Sequence, residues 1–160
     1  MTDAQTPATD AQAQAAIFNI EKLYVKDLSL EIPHAPGIFL ERENPQIDLQ
    51  LHTSAIAVEE GVYEVTVMVT VTAKLPEKDK VMFLIEAKQA GIFQARHIPA
   101  TEIETVLAVM CPNILYPYLR EVVSDLAVRA GFAPVVLNPI NFEALYQQQK
   151  QQAQAPAVTH

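Results

Sequence analysis

A single cysteine, Cys111, stands in a chain of 160 residues. No internal disulfide framework can hold the fold, and the composition fits a reducing compartment. Cations are scarce: 11 Lys and Arg against 19 Asp and Glu give a formal charge of −8 and a pI near 4.9. That balance argues against nucleic acid and anionic membranes as partners, and it suits a basic one. No uninterrupted apolar run approaches the ~20 residues of a membrane-spanning helix. Met1 to Ala15 do not read as a secretory leader, since they hold Asp3 and Asp10, no Lys or Arg, and no apolar stretch. A cytoplasmic protein with no direct membrane insertion is expected. Catalytic signatures are missing too, with no Gly-rich phosphate loop, GxSxG, HExxH or CxxC.

What is present suits one domain. Half of the residues are apolar, and 17.7 kDa leaves little room for a second core. Residues 1–16, rich in Thr, Ala, Gln and Asp, read as a disordered leader. Residues 149–160 read as a Gln-rich flexible tail, whose helical start must stop before Pro156. The ordered domain is expected over 17–148.

Inside it, period-two alternation marks four strands. In residues 17–32, Phe18, Ile20, Tyr24, Leu28, Leu30 and Ile32 share one parity, and Lys22 and Lys26 interrupt it, so a bulge is expected near Lys26. Pro33 to Gly37 breaks pairing. A second strand covers 47–58, with Ile47, Leu49 and Leu51 on one face and Asp48, Gln50 and His52 on the other. After a turn at Glu59-Glu60-Gly61, Tyr63, Val65, Val67, Val69, Val71 and Ala73 face inward in the third strand. A charged hairpin at 75–80 leads to a fourth strand at 81–89, a break at Ala90-Gly91, and a short continuation through Ile92-Phe93. Short connections make neighbours antiparallel.

Beyond Pro99 the period becomes helical. Thr101 and Glu104 have capping-box spacing. Ile103, Val106, Leu107, Met110, Ile114, Leu119, Val122, Val123 and Leu126 then recur on one helix ending at Gly131, with kinks expected at Pro112 and Pro117. Asn141 is expected to cap a second helix bearing Phe142, Leu145 and Tyr146. The fold class is α+β, a four-stranded antiparallel sheet with one long Pro-kinked helix and a second C-terminal helix on one face.

Little in this order looks catalytic. His34, His52, His97 and His160 lack partners at metal-ligand spacing, so no metal or other cofactor is expected. Cys111 sits on an apolar helix and reads as a small buried hydrophobe. Glu102 and Glu104 are explained by the helix start. Two features ask for more: apolar residues on loop-like segments, Ile38-Phe39-Leu40 and Phe132 to Ile140, and acidic outward strand positions at Asp27, Glu31 and Glu86. Core packing and a solvated sheet face explain them without function. An open apolar groove and an acidic docking face are the functional readings.

The segment Cys111-Pro112-Asn113-Ile114-Leu115-Tyr116-Pro117-Tyr118-Leu119-Arg120 closely resembles the CPNILFPYAR-like motif of the SecB protein-export chaperones. Leu23 to Glu31, Val62-Tyr63-Glu64-Val65, Gly91-Ile92-Phe93 and Asn138 to Leu145 agree with that family in order and spacing. The likeness covers about residues 17–146. It implies a SecB-like fold and an ATP-independent, non-enzymatic cytoplasmic chaperone. Such a chaperone holds unfolded precursor proteins and delivers them to the SecA motor. It further implies a homotetramer, a dimer of dimers with the long helices between sheets, and an interface including Ile85, Ala87, Gln89, Met110 and Tyr118. By the same resemblance Asp27, Glu31, Leu84 and Glu86 are the SecA-binding residues, meeting the motor's basic zinc-binding tail. Phe39, Phe132, Val136, Leu137, Ile140, Phe142 and Tyr146 would line the unfolded-substrate groove.

Three positions depart from the family pattern. Glu41-Arg42-Glu43 stands where a tryptophan is familiar, Ala90-Gly91 replaces a glycine pair, and the tail is Gln-rich where relatives are acidic. Two alternatives remain at this point. One is a hot-dog-type acyl-thioesterase, for which the helix offers Glu104, Glu121 and Asp125. The other is a SecB-like chaperone serving a toxin–antitoxin system.

Overall fold

The computed structural model describes residues 13–155. Its strands are β1 (Ile17–Glu31), β2 (Gln46–Glu59), β3 (Val62–Leu75) and β4 (Lys80–Arg96). They form one antiparallel sheet in the order β1-β4-β3-β2, which leaves β1 and β2 at the edges. The pleat of β3 sends Val65, Val67, Val69, Val71 and Ala73 to one face, where all are buried. Across from them on β4 lie Gly91, Gln89, Ala87, Ile85 and Phe83, so these residues share the inward face.

Strand β1 shows how an extra residue rewrites a pattern. Its pairing with β4 shifts between Ile20 and Lys22 and again between Val25 and Asp27. The second shift is the bulge expected at Lys26. The first, at Glu21, has no signal in the alternation. Between them the parity is inverted, because a one-residue shift exchanges the two faces. Leu23 and Val25 therefore face inward, opposite Gly91 and Gln89, while Tyr24 lies on the outer face opposite Ala90. Tyr24 is thus removed from the inward set.

Strand β4 runs without the break expected at Ala90-Gly91. Gly91 instead supplies room within the sheet, since a Cβ there would meet the Phe93 ring at 2.7 Å. The two turns behave as read: Gly61 takes φ +73 between β2 and β3, the left-handed region that glycine enters without strain.

After β4 one helical run covers Ala100–Arg129. It consists of α1 (Ala100–Thr105), a π turn (Val106–Met110) and α2 (Cys111–Arg129). Pro99, not Thr101, occupies the N-cap, and no side chain caps it. The capping box therefore does not form, and Glu104 instead accepts from the Tyr146 hydroxyl. The π turn ends just before Pro112, with the Cys111 N–H bonded to the Val106 carbonyl. Proline lacks the N–H that an α-helix would require at 112 and crowds the preceding turn, so the wider turn accommodates it. Pro117 lies inside α2. The helix closes at Gly131 (φ +89), with Phe132 N–H bonded to Ala127 O and Gly131 N–H to Val128 O, a Schellman ending.

By length and composition alone this run is apolar enough to cross a membrane. In the fold its stripe of Cys111, Leu115, Leu119, Val123 and Ala127 is buried and the helix packs on β3 and β4. The last element is α3 (Phe142–Gln154), capped by Asn141, whose side chain accepts from Ala144 N–H at 3.0 Å. Its helix passes the boundary expected at 148. The leader and tail readings for residues 1–12 and 156–160 fall outside the described residues.

Candidate functional site

Because the helix lies over β3 and β4, the inward side of β2 is only partly covered. Ile47, Leu49, Leu51, Thr53 and Ala55 occupy alternate positions on that side. The loop from 130 to 141 and helix α3 face them across a trough. Its widest part is a cavity of about 620 Å³ lined by Phe39, Ile47, Leu49, Phe83, Phe132 and Val136 among others. Phe132 sits between two rings, 5.1 Å from Phe39 and 4.7 Å from Phe83 by centroids. The Tyr116 hydroxyl donates to the Asn138 carbonyl and ties the loop to α2. Further along β2, two smaller depressions share Thr53, Ala108, Tyr146 and Gln149. There the Tyr146 hydroxyl donates to Glu104 Oε2 at 3.0 Å, which fastens α3 to α1.

The two loop-like apolar segments divide between core and surface residue by residue. Ile38 is 2% exposed, whereas Phe39 is 48% and Leu40 lies almost bare. In the second segment Leu137 is 1% exposed and Val136 71%. Phe142 is also buried, edge-on to Tyr116 at 5.6 Å. Leu137 and Phe142 are therefore buried at the floor of the trough, Leu137 lining the large cavity and Phe142 the depression beside Tyr146, and Ile140 packs against the core. Phe39, Phe132, Val136 and Tyr146 present surface to it. Sequence reasoning missed Ile47, Leu49 and Phe83 as lining residues. Their alternation reads as core, and nothing local marks β2 as an edge strand.

The other face of the sheet is polar. Glu31 pairs with Leu84, Ser29 with Glu86 and Asp27 with Lys88, so the register brings Asp27, Glu31, Leu84 and Glu86 onto adjacent strands and one face. Asp27, Glu31 and Glu86 are exposed, and among the described residues none of them has a basic group within 4 Å. Glu64, on the same face of β3, is differently placed: it accepts from Lys26 and from the Tyr24 hydroxyl. These bonds, Lys26 first, hold its carboxyl below the usual range despite partial burial. Burial and the bond to Glu64 push the Tyr24 phenol up to about 12.

Five residues were expected at an interface between copies. Ile85, Ala87 and Gln89 lie on the inward parity of β4 and are buried within the single chain, so they offer no surface to a second copy. Met110 and Tyr118, on the outward side of the helix, are exposed. On the edge strand β1, Ile20, Val25 and Leu28 also remain exposed.

Other chemistry is confined by packing. Cys111 is buried and its thiol is pushed up to about 12 by loss of solvent, which leaves little thiolate near neutral pH. Asp125 is paired with Arg129 at 2.7 Å, and Glu104 is engaged by Tyr146. Among the described residues no group of three His, Cys, Asp or Glu side chains is placed to hold a metal ion; His160 lies outside them.

Comparison with known proteins is consistent across most of the chain. The family model for preprotein translocase subunit SecB matches residues 11–153. The protein-export protein SecB of Nitrosomonas eutropha is 66% identical over 140 residues, 88% of each chain. That of Nitrosomonas europaea is 63% identical over 147 residues, 92% of this chain and 91% of the relative. Among solved structures, a SecB-like chaperone of Mycobacterium tuberculosis, in complex with a peptide from an antitoxin, superposes with a TM-score of 0.62. It shares 18% identity over 77% of this chain and 90% of its own, a likeness of fold.

Proposed function

The chain belongs to the SecB family, and from that premise we propose that it holds exported precursors unfolded and hands them to the SecA motor in the cytoplasm. It is a chaperone and not an enzyme, so the work is done by binding, without ATP. The observation that carries this reading is the trough along β2, with its 620 Å³ cavity walled by apolar side chains. An unfolded chain exposes apolar side chains that such a surface can cover, at about 25 cal/mol per Å² of apolar area. The ordering of a long client offsets much of that gain. Several modest contacts along one chain give avidity, and each can be released separately.

The acidic outer face supports a second role. Asp27, Glu31 and Glu86, with no basic group within 4 Å among the described residues, form a field of carboxylates around Leu84 suited to the basic zinc-binding tail of SecA. That metal belongs to the motor. The exposed apolar residues Met110 and Tyr118 on the helix, with Ile20, Val25 and Leu28 on β1, support assembly into a homotetramer, because a lone chain would leave them in water. The relatives named for protein export favour this reading over the thioesterase and toxin–antitoxin alternatives.

Light scattering on the pure protein, with and without a chemically unfolded precursor, tests the proposal. A particle near four times 17.7 kDa that takes up unfolded but not folded precursor, without ATP, is the expected result. A monomer indifferent to unfolded chains would overturn it.

A further inference from the structure

One lysine fastens the segment that carries Phe39. A short 3-10 turn, Gly37–Leu40, buries Ile38 as its anchor. The chain then passes through Glu41, Arg42 and Glu43 to β2. From the tip of the β3–β4 hairpin, Lys78 Nζ donates to Glu41 Oε2 and stands 3.9 Å from Glu43 Oε1. Glu43 Oε2 is buried with no hydrogen-bond partner. Among the described residues Lys78 is the one base within 4 Å of either carboxylate. Glu41 lines the large cavity together with Phe39 and Pro45. The hairpin that presents Lys78 is itself braced by Lys74 on Asp79 at 2.6 Å.

We propose that Lys78 is a latch on the wall of the trough: by bridging Glu41 and Glu43 it holds the Phe39 segment against Phe132 and sets how readily the cavity yields a bound side chain. The proposal rests on the client-holding reading and adds control of the site's entrance. Opposite charge favours the ionised forms on both sides, lowering the Glu41 carboxyl and raising the Lys78 ammonium, each chiefly through their shared hydrogen bond. Without the bridge the segment keeps the buried Ile38, the Phe39–Phe132 stack and the backbone bonds of its own turn, but among the described residues it has no ion pair to the β3–β4 hairpin. A client must then order that segment as it binds, and it leaves faster. The effect is modest because the partners are partly exposed: about two- to fivefold in release rate, the range an exposed ion pair supplies.

The test uses the full chain in three forms, Lys78→Glu, Glu41→Lys and the two combined. Release of a fluorescently labelled unfolded precursor is followed by stopped flow, and amide hydrogen exchange is read over residues 36–45. Each single change is expected to speed release about two- to fivefold and to speed exchange in that segment. The charge-swapped pair should recover both, which a merely destabilising change would not do. Raising the salt to roughly 0.5 M should accelerate release from the parent protein and not from Lys78→Glu. Release and exchange at parent rates in the single variants, or no recovery in the swapped pair, would overturn the latch and leave client holding intact. A parent protein that holds no unfolded precursor would instead overturn the client-holding reading and, with it, any role for Lys78 at the entrance.

Discussion

The ring of Phe39 lies on that of Phe132, centroids 5.1 Å apart and planes 20° apart, joining two loops distant in sequence at the cavity wall. Phe83 rises from β4 beneath Phe132, so the stack has a firm base and a half-exposed outer member. Replacing Phe39 by Ala should cost little stability, about 0.5–1.5 kcal/mol for the lost aromatic pair. It should weaken the holding of an unfolded polypeptide by about tenfold, the loss expected when roughly 1.4 kcal/mol of contact disappears. Fluorescence anisotropy titration, paired with thermal unfolding, separates the two effects.

Neighbours in the 130–141 loop should respond in opposite ways. Aspartate at Val136, whose side chain stands in solvent, should impair client binding with an unchanged melting temperature. Aspartate at Leu137 or Phe142 places a charge in the core, a loss on the order of 3–5 kcal/mol or more from lost packing and desolvation. Circular dichroism melts of the three variants check this. A native-like melt for Leu137→Asp would contradict the burial of Leu137.

The outer face should act independently of the trough. Glu31→Lys combined with Glu86→Lys should lower affinity for a basic motor tail by about tenfold or more, given up to ~1 kcal/mol per exposed charge, and should flatten its salt dependence. Client holding should be unchanged. Equal loss of both activities in parallel titrations would refute two separate surfaces.

Glu64 predicts a pH dependence. Its folded carboxyl is held below the ordinary value by Lys26 and Tyr24, so the unfolded chain binds the proton more readily. The contribution is present above the unfolded value of about 4.3 and is lost as pH falls through the lowered folded one. Glu64→Gln should cost about 1–3 kcal/mol at neutral pH, the scale of hydrogen bonds to a charged group. Its difference from the parent should shrink below about pH 4. Urea titrations across that range provide the check.

Cys111 should be silent in the folded protein. Its buried thiol, pushed up to about 12, should react with Ellman's reagent only as fast as the chain opens. Denaturant should release one equivalent of thiol per chain at once. Rapid native labelling would mean that the packing of α2 on the sheet is loose.

The chain by itself determined its elements, because periodicity and helix stops are local. Val65 to Ala73 alternate, Gly131 ends a helix, Asn141 starts one, and each acts through its own few neighbours. The acidic set was legible for the same reason: Glu31 and Glu86 fall on outward parities within their own strands. Tertiary structure decided the rest. The shift at Glu21 moved Tyr24 to the outer face, and Gly91 kept β4 whole by making room for the Phe93 ring. Pro99 took the cap that Thr101 and Glu104 were spaced to form, leaving Glu104 for Tyr146. Only packing separated Leu137 from Val136, or Ile85 in the core from Tyr118 on the surface. Burial is a relation between segments that meet after folding, and no pattern within one segment contains it.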